Sequence, residues 1–254
     1  MRRLCAIFVV CAIVTGLQPA MAEEGTAQSN ASSSIETDIK VPKKKRVMTV
    51  MPILGGGLGW FNMTGNSGNA SVYATNRPSF MAGALTDIHF GRWAIETGLV
   101  YQRESSRIEI TSNNALAANG NLDGNVNLDY VGVPVMGKIS LGVSRGVRFL
   151  AKAGVTPALL VGSAADFGEK PSYYSSAVSD SFTNLAWSSD NLRKFNVFGT
   201  AGGGASFALG GGRTLLTEIV YNRTLMAVNE YNSSYNEVYS QSVMFVLGMG
   251  FGIY

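Results

Sequence analysis

The chain has 254 residues; 46% are hydrophobic, only 15% are charged, 30 are glycine, and the formal net charge is +3. Sparse charge with abundant Gly, Ser, Asn and Tyr excludes a disordered chain and a helix-rich enzyme, and the charge balance gives no reason to expect nucleic acid as a partner. Such a composition suits β-strands joined by polar turns.

Residues 1–22 read as a signal peptide. Arg2 and Arg3 form its basic start, residues 4–17 an apolar stretch, and "AMA" at 20–22 a small-residue cleavage site. The apolar stretch is shorter than the roughly 20 residues a membrane-spanning helix needs. Both cysteines, Cys5 and Cys11, fall inside it, so the mature chain is expected to lack disulfides, thiolate metal sites and a cysteine nucleophile. Without Arg2 and Arg3 the chain holds 18 basic and 17 acidic residues. No other apolar run reaches 18 residues, which excludes a helical membrane protein but not a barrel of alternating strands.

Residues 23–46, polar and rich in Ser, Ala and Thr, are expected to form a flexible periplasmic leader. They end in "PKKKR" (42–46), which reads either as a solvated topogenic flank or as a contact for anionic lipid headgroups.

From residue 47 to 254 the chain predicts a single barrel domain. Eight strand-like segments lie near 48–62, 79–90, 92–105, 126–139, 147–161, 192–209, 213–227 and 237–254. Connections after the second, fourth and sixth segments are short. Those after the first, third, fifth and seventh are long, about 16, 20, 30 and 9 residues. An eight-stranded antiparallel transmembrane up-and-down β-barrel behaves this way, with tight periplasmic turns and long outer loops.

Alternation along the segments gives each an apolar and a mixed face. Trp93, Ile95, Leu99 and Tyr101 oppose Ala94, Glu96, Gly98 and Gln102, and Phe149, Val155, Leu159 and Val161 oppose Arg148, Lys152 and Thr156. The apolar face is assigned to lipid and the mixed face to a narrow interior. "TGLVYQR" (97–103) and "TEIVYNR" (217–223) resemble each other, by chance or by an old duplication. They place Tyr101 and Tyr221 at the outer interface, with Trp93 as a further interface aromatic and Arg103 and Arg223 just beyond the tyrosines.

Two stretches carry a family likeness. "LDYVGVPVMGK" resembles the Tyr-x-x-x-Pro-x-x-x-Lys strand of PorT-like outer-membrane β-barrel domains, here Tyr130, Pro134 and Lys138, all of one parity. The ending "VMFVLGMGFGIY" resembles an outer-membrane assembly signal through Gly248, Phe251 and Ile253, with Tyr254 one step out of register. The chain is thus similar to eight-stranded outer-membrane barrels, loosely OmpA- and OmpX-like. The resemblance implies outer-membrane lipids and the barrel-assembly machinery as partners, and no cofactor. Proline cannot donate to a ladder, so a bulge or distorted pairing is expected near Pro134; Pro52 and Pro157 raise the same difficulty for a closed sheet.

Candidate chemistry is limited. His89, the sole histidine, shares a face with Asp87, but near a periplasmic turn and without a G-x-S-x-G element. Glu96, Glu218, Lys138, Lys152 and Arg148 are expected to form an interior charge network, either an ion-paired plug or a gated ion path. "GGGLG" (55–59) and "GGGAS" (202–206) lie inside strands and are not phosphate loops. The third outer loop offers Tyr173, Tyr174 and Trp187, which suit a partner-contact surface or self-packing equally. The expected role is structural or adhesive, without enzymatic activity. A lipid-modifying enzyme and a secreted ligand-binding β-protein are the alternatives.

Overall fold

The computed structural model describes residues 48–64, 70–112, 121–144, 146–167, 192–229 and 237–253. The expected signal peptide and leader, the third-loop residues Tyr173, Tyr174 and Trp187, and Tyr254 lie outside the described residues.

Among the described residues nine strands follow one another: β1 (Met48–Thr64), β2 (Ala70–Phe90), β3 (Trp93–Ser112), β4 (Asn121–Gly132), β5 (Val135–Ser144), β6 (Val147–Phe167), β7 (Phe195–Gly210), β8 (Arg213–Thr224) and β9 (Glu237–Ile253). Every pairing is antiparallel, and β1 pairs with β9, which closes the ring. β4 and β5 occupy one position in that ring, both lying between β3 and β6. The barrel therefore has eight staves.

The divided stave is a proline effect. β3 and β6 pair with β4 as far as Gly132 and resume with β5 at Val135, leaving Val133 and Pro134 between. Pro157 faces the same gap from β6, where the Val133 N–H donates to its carbonyl at 2.9 Å. Neither proline has an N–H to give to a ladder, so their ladder losses coincide. Pro78 lies in the register shift between Asn76 and Phe80. Pro52 sits where the β1–β9 pairing passes from Val50–Phe251 to Ile53–Gly248.

Following paired residues round the ring from Met48 through Ile88, Ile95, Gly137, Ala153, Ala201, Tyr221 and Val243 returns to β1 at Leu58, ten residues further on. A stagger of that size over eight staves belongs to strands tilted roughly 40° from the axis, with an interior wide enough for side chains alone or one small ligand.

Side-chain alternation sorts the surface as expected. Leu54, Trp93, Ile95, Leu99, Phe149, Leu159, Ile219, Phe245, Leu247, Phe251 and Ile253 point outward and are exposed. On β3 this apolar belt runs from Trp93 to Tyr101, roughly 20 Å along the axis, close to the apolar height of outer-membrane barrels. Above Tyr101 the outward residues become Arg103, Arg107 and Glu109, yet β3 continues to Ser112. The strands are longer there than expected: β2 begins at Ala70 and β3 ends at Ser112, because pairing outlasts the apolar pattern.

Inside, a lower apolar cluster includes Met51, Ile53, Leu85, Val100 and Val246, and an upper one includes Phe61, Ile108, Leu128, Tyr130 and Phe198. Glycine allows the staves to approach. A Cβ on Gly57 would strike the Val243 carbonyl oxygen and lie 2.6 Å from the Met244 Cα.

Candidate functional site

The interior charges converge near the inner end of the barrel. Lys138 and Lys152 are cross-strand partners on β5 and β6. Lys138 Nζ lies 2.7 Å from Glu96 Oε2 and 3.0 Å from Asp87 Oδ2, and Lys152 Nζ lies 2.7 Å from Glu96 Oε1. Glu218 approaches from β8, at 3.5 Å from Lys138 and 2.5 Å from Lys152. Its orientation makes these charge contacts rather than hydrogen bonds. All five groups are buried. Three carboxylates against two ammonium groups form one closed network, in which each buried charge meets an opposite one.

The sequence placed Glu96, Glu218, Lys138 and Lys152 on inward faces, and the structure brings these four together. It does not bring Arg148. Arg148 shares the inward parity of Lys152, but it lies four residues closer to the inner mouth, where its side chain is exposed. Parity gives the face of a residue but not its depth. Asp87 takes the place expected of Arg148. Asp87 Oδ2 is engaged by Lys138 at 3.0 Å, and His89 Nε2 lies 2.9 Å from Thr49 Oγ1.

Sequence reasoning missed a second polar site. Glu104 is fully buried on β3, eight residues above Glu96 and on the same face. It accepts hydrogen bonds from Ser242 Oγ at 2.8 Å, from Ser240 Oγ at 3.2 Å and from Gln102 Nε2. Among the described residues no cation pairs with it. Gly59 makes room, since a Cβ there would collide with Ser79 Oγ and come within 3.1 Å of Glu104 Oε2. Shared parity with Glu96 and Gln102 was the available signal.

These layers decide whether the lumen is open. Between the two polar sites, the space bounded by Met81, Leu85, Val100, Met136, Val220 and Val246 is about 20 Å³, room for about one water. Above it, Tyr130 packs edge-on against Phe198 with ring centroids 5.1 Å apart, and Phe61, Leu192, Val228 and Val238 complete a dry cluster. The inner end is hollow, a cavity of about 380 Å³ lined by Thr49, Asp87, His89, Lys138, Ser140, Arg148 and others.

At the upper edge of the belt, Tyr101 packs against Phe80 with the rings tilted by 38° and centroids 5.5 Å apart. Arg103 lies 5.3 Å over the same Phe80 ring and binds Asp129 through two bonds of 2.6 and 3.0 Å. The matching strand repeats the device: Tyr221 donates to Gln241 at 3.1 Å, and Arg223 lies 5.7 Å over Tyr239. Trp93 is exposed at the opposite, inner edge. Gly248 faces the interior, while Phe251 and Ile253 face outward.

A family model described as "Outer membrane protein beta-barrel domain" matches residues 53–230. No curated protein matches the chain. Among solved structures, the chain is similar to the outer membrane protein OprG from Pseudomonas aeruginosa, at 10% identity over 83% of this chain and 97% of that one, with a TM-score of 0.45. It is also similar to Neisserial surface protein A, at 10% identity over 79% and 95%, TM-score 0.39. A third similar structure is Ail, the attachment invasion locus protein of Yersinia pestis, at 9% identity over 82% and 100%, TM-score 0.33.

Proposed function

Because the chain belongs to the outer membrane protein beta-barrel domain family, we propose that it is a sealed, non-catalytic barrel of the bacterial outer membrane that presents an adhesive recognition surface outside the cell. The observation that carries this reading is the sheet standing above the lipid belt. Beyond Tyr101, β3 rises roughly another 30 Å to Ser112. β2, β3, β4 and β6 stay paired with one another there. Their other neighbours stop lower: β1 leaves β2 at Gly59–Arg77, and β7 leaves β6 at Leu159–Phe195. Among the described residues the outer parts of β2 and β6 thus have no second neighbour, and such edges are the kind of backbone surface that takes up an added strand. The outward face between them carries the Arg107–Asp123 pair and Glu109.

Closure of the lumen supports recognition over transport. The interior charges serve as an ion-paired plug in this reading, and the barrel's lipids and the assembly machinery are its partners within the envelope. The lipid-modifying alternative would rest on His89, which is held by Thr49 at the periplasmic end. The secreted soluble alternative fares no better, because the outward belt of Leu, Trp and Phe suits hydrocarbon.

The test is retention of cells displaying the protein on surfaces coated with extracellular-matrix protein. Display should raise retention above that of cells lacking the barrel. A Tyr73→Lys, Thr75→Glu variant, which puts charge on exposed side chains of the β2 edge and leaves its backbone ladder intact, should fold normally and lose the gain. Equal retention by all three strains would sink the proposal.

A further inference from the structure

We propose that the periplasmic rim of the barrel holds a phosphate-binding seat formed by Arg92 and Arg148, suited to the headgroup of an inner-leaflet phospholipid. Arg92 stands in the tight turn between β2 and β3, and Arg148 lies two residues into β6. The hairpins that carry them are tied by the Ser140 N–H, which donates to the Arg92 carbonyl at 2.8 Å. Between them lies a cavity of about 430 Å³ lined by Gly91, Arg92, Ser140, Leu141, Gly142 and Arg148.

Its chemistry is one-sided. Two arginines, a serine and two glycines line the space, and among the described residues no acidic side chain does. Among the described residues neither arginine has an acidic partner. Asp87 lines the adjoining central cavity, which Arg148 also borders, and is engaged by Lys138 at 3.0 Å. Two unpaired guanidinium groups sharing a cavity repel each other, and a bound oxyanion turns that repulsion into attraction. The planar fork of each matches two oxygens of a phosphate, which an ammonium group does not.

Leu141 favours a lipid as the source. It belongs to the outward apolar belt, 46% exposed, and also forms one wall of the seat. A headgroup phosphate placed there leaves its acyl chains beside Leu141, against the barrel's greasy side. A soluble phosphate uses the same two arginines but gains nothing from that wall.

The experiment uses the folded barrel in maltoside micelles, which contain no phosphate. The readout is the backbone amide resonances of Gly91 and Gly142, which line the seat and are present in every variant, followed while three probes are titrated separately: dioctanoyl-phosphatidylglycerol, dioctanoylglycerol and inorganic phosphate. The phosphatidylglycerol should shift both resonances saturably, and dioctanoylglycerol should shift neither. An Arg92→Gln, Arg148→Gln variant should bind at least about tenfold more weakly, the loss expected for two charge-assisted contacts. Arg213→Gln, a rim arginine outside this cavity, should bind as the parent does. A response to inorganic phosphate equal to that to the lipid keeps the seat and reassigns its source. No saturable shift with either phosphate probe overturns the proposal. So does a loss in Arg213→Gln as large as in the double variant, because that marks general surface charge.

Discussion

Lys138 and Lys152 stand directly opposite each other on neighbouring strands and share one carboxylate, each 2.7 Å from a different oxygen of Glu96. Two like charges across a strand pair repel; Glu96 between them, with Glu218 behind, converts the pair into a cross-brace over β3, β5, β6 and β8. Glu96→Gln should therefore destabilise the barrel by roughly 1–3 kcal/mol, because both ammonium groups lose their shared hydrogen-bond acceptor while Lys138 keeps Asp87 and Lys152 keeps Glu218. Unfolding in urea, followed by the mobility difference between heated and unheated samples, measures this. A loss below about 1 kcal/mol would show that water already reaches the network.

Coupling within the network gives a second test. Lys152→Met and Glu218→Gln should each destabilise, and the double variant should lose markedly less than the sum of the two, since the partners leave together. Strict additivity in a double-mutant cycle would mean that the 2.5 Å contact carries no energy.

Conduction should resist single openings of the plug. Lys152→Ala removes a charge below the closed middle layer, but the Tyr130–Phe198 pair and Phe61 still fill the upper end. Planar bilayers containing this variant should remain silent. Steps of current from Lys152→Ala alone would place the seal at the charges and not in the apolar layer.

Glu104 should behave in the opposite way to Glu96. Its donors are Ser240, Ser242 and Gln102, and no ammonium group balances it. Glu104→Gln keeps the shape and removes an uncompensated buried charge, so it should be neutral or stabilising by about 1 kcal/mol. Glu104→Ala leaves a hole and unsatisfied hydroxyls and should cost about 2 kcal/mol or more. Urea midpoints of the two variants decide between these signs.

Gly57→Val should largely abolish folding. The added atoms would overlap the β9 backbone at Val243 and Met244, which cannot yield without parting the closing seam. The fraction of protein that runs as the compact, unheated band should collapse, whereas Gly56→Ala, at a glycine with open space beside it, should leave that fraction unchanged.

Much of this was legible in the sequence, and the reasons are local. Alternation assigned faces correctly for β3, β6 and β9, since a strand between lipid and a packed lumen keeps its period of two. Pro134 announced the broken stave because an N–H-deficient residue must interrupt a ladder. Depth was not legible. Arg148 carries the same parity as Lys152 but reaches solvent, and Asp87, read beside His89, turns to Lys138. Strand length failed for a related reason. Once the outward residues become Arg103, Arg107 and Glu109, nothing apolar marks that β3 continues, although the ladder to β2 does not stop. Glu104 went unnoticed because its partners, Ser240 and Ser242, come from the far end of the chain.

Pro52 has a consequence for how this cylinder comes apart. The first and last strands meet like the two sides of a zipper, and Pro52 removes teeth just above its lower end, so that only Met48, Thr49 and Val50 remain fastened to Ile253, Gly252 and Phe251 beneath the gap. A zipper with so short a tail opens from that tail. Amide exchange along the join should accordingly be fastest on the periplasmic side of Pro52 and slow towards Gly59.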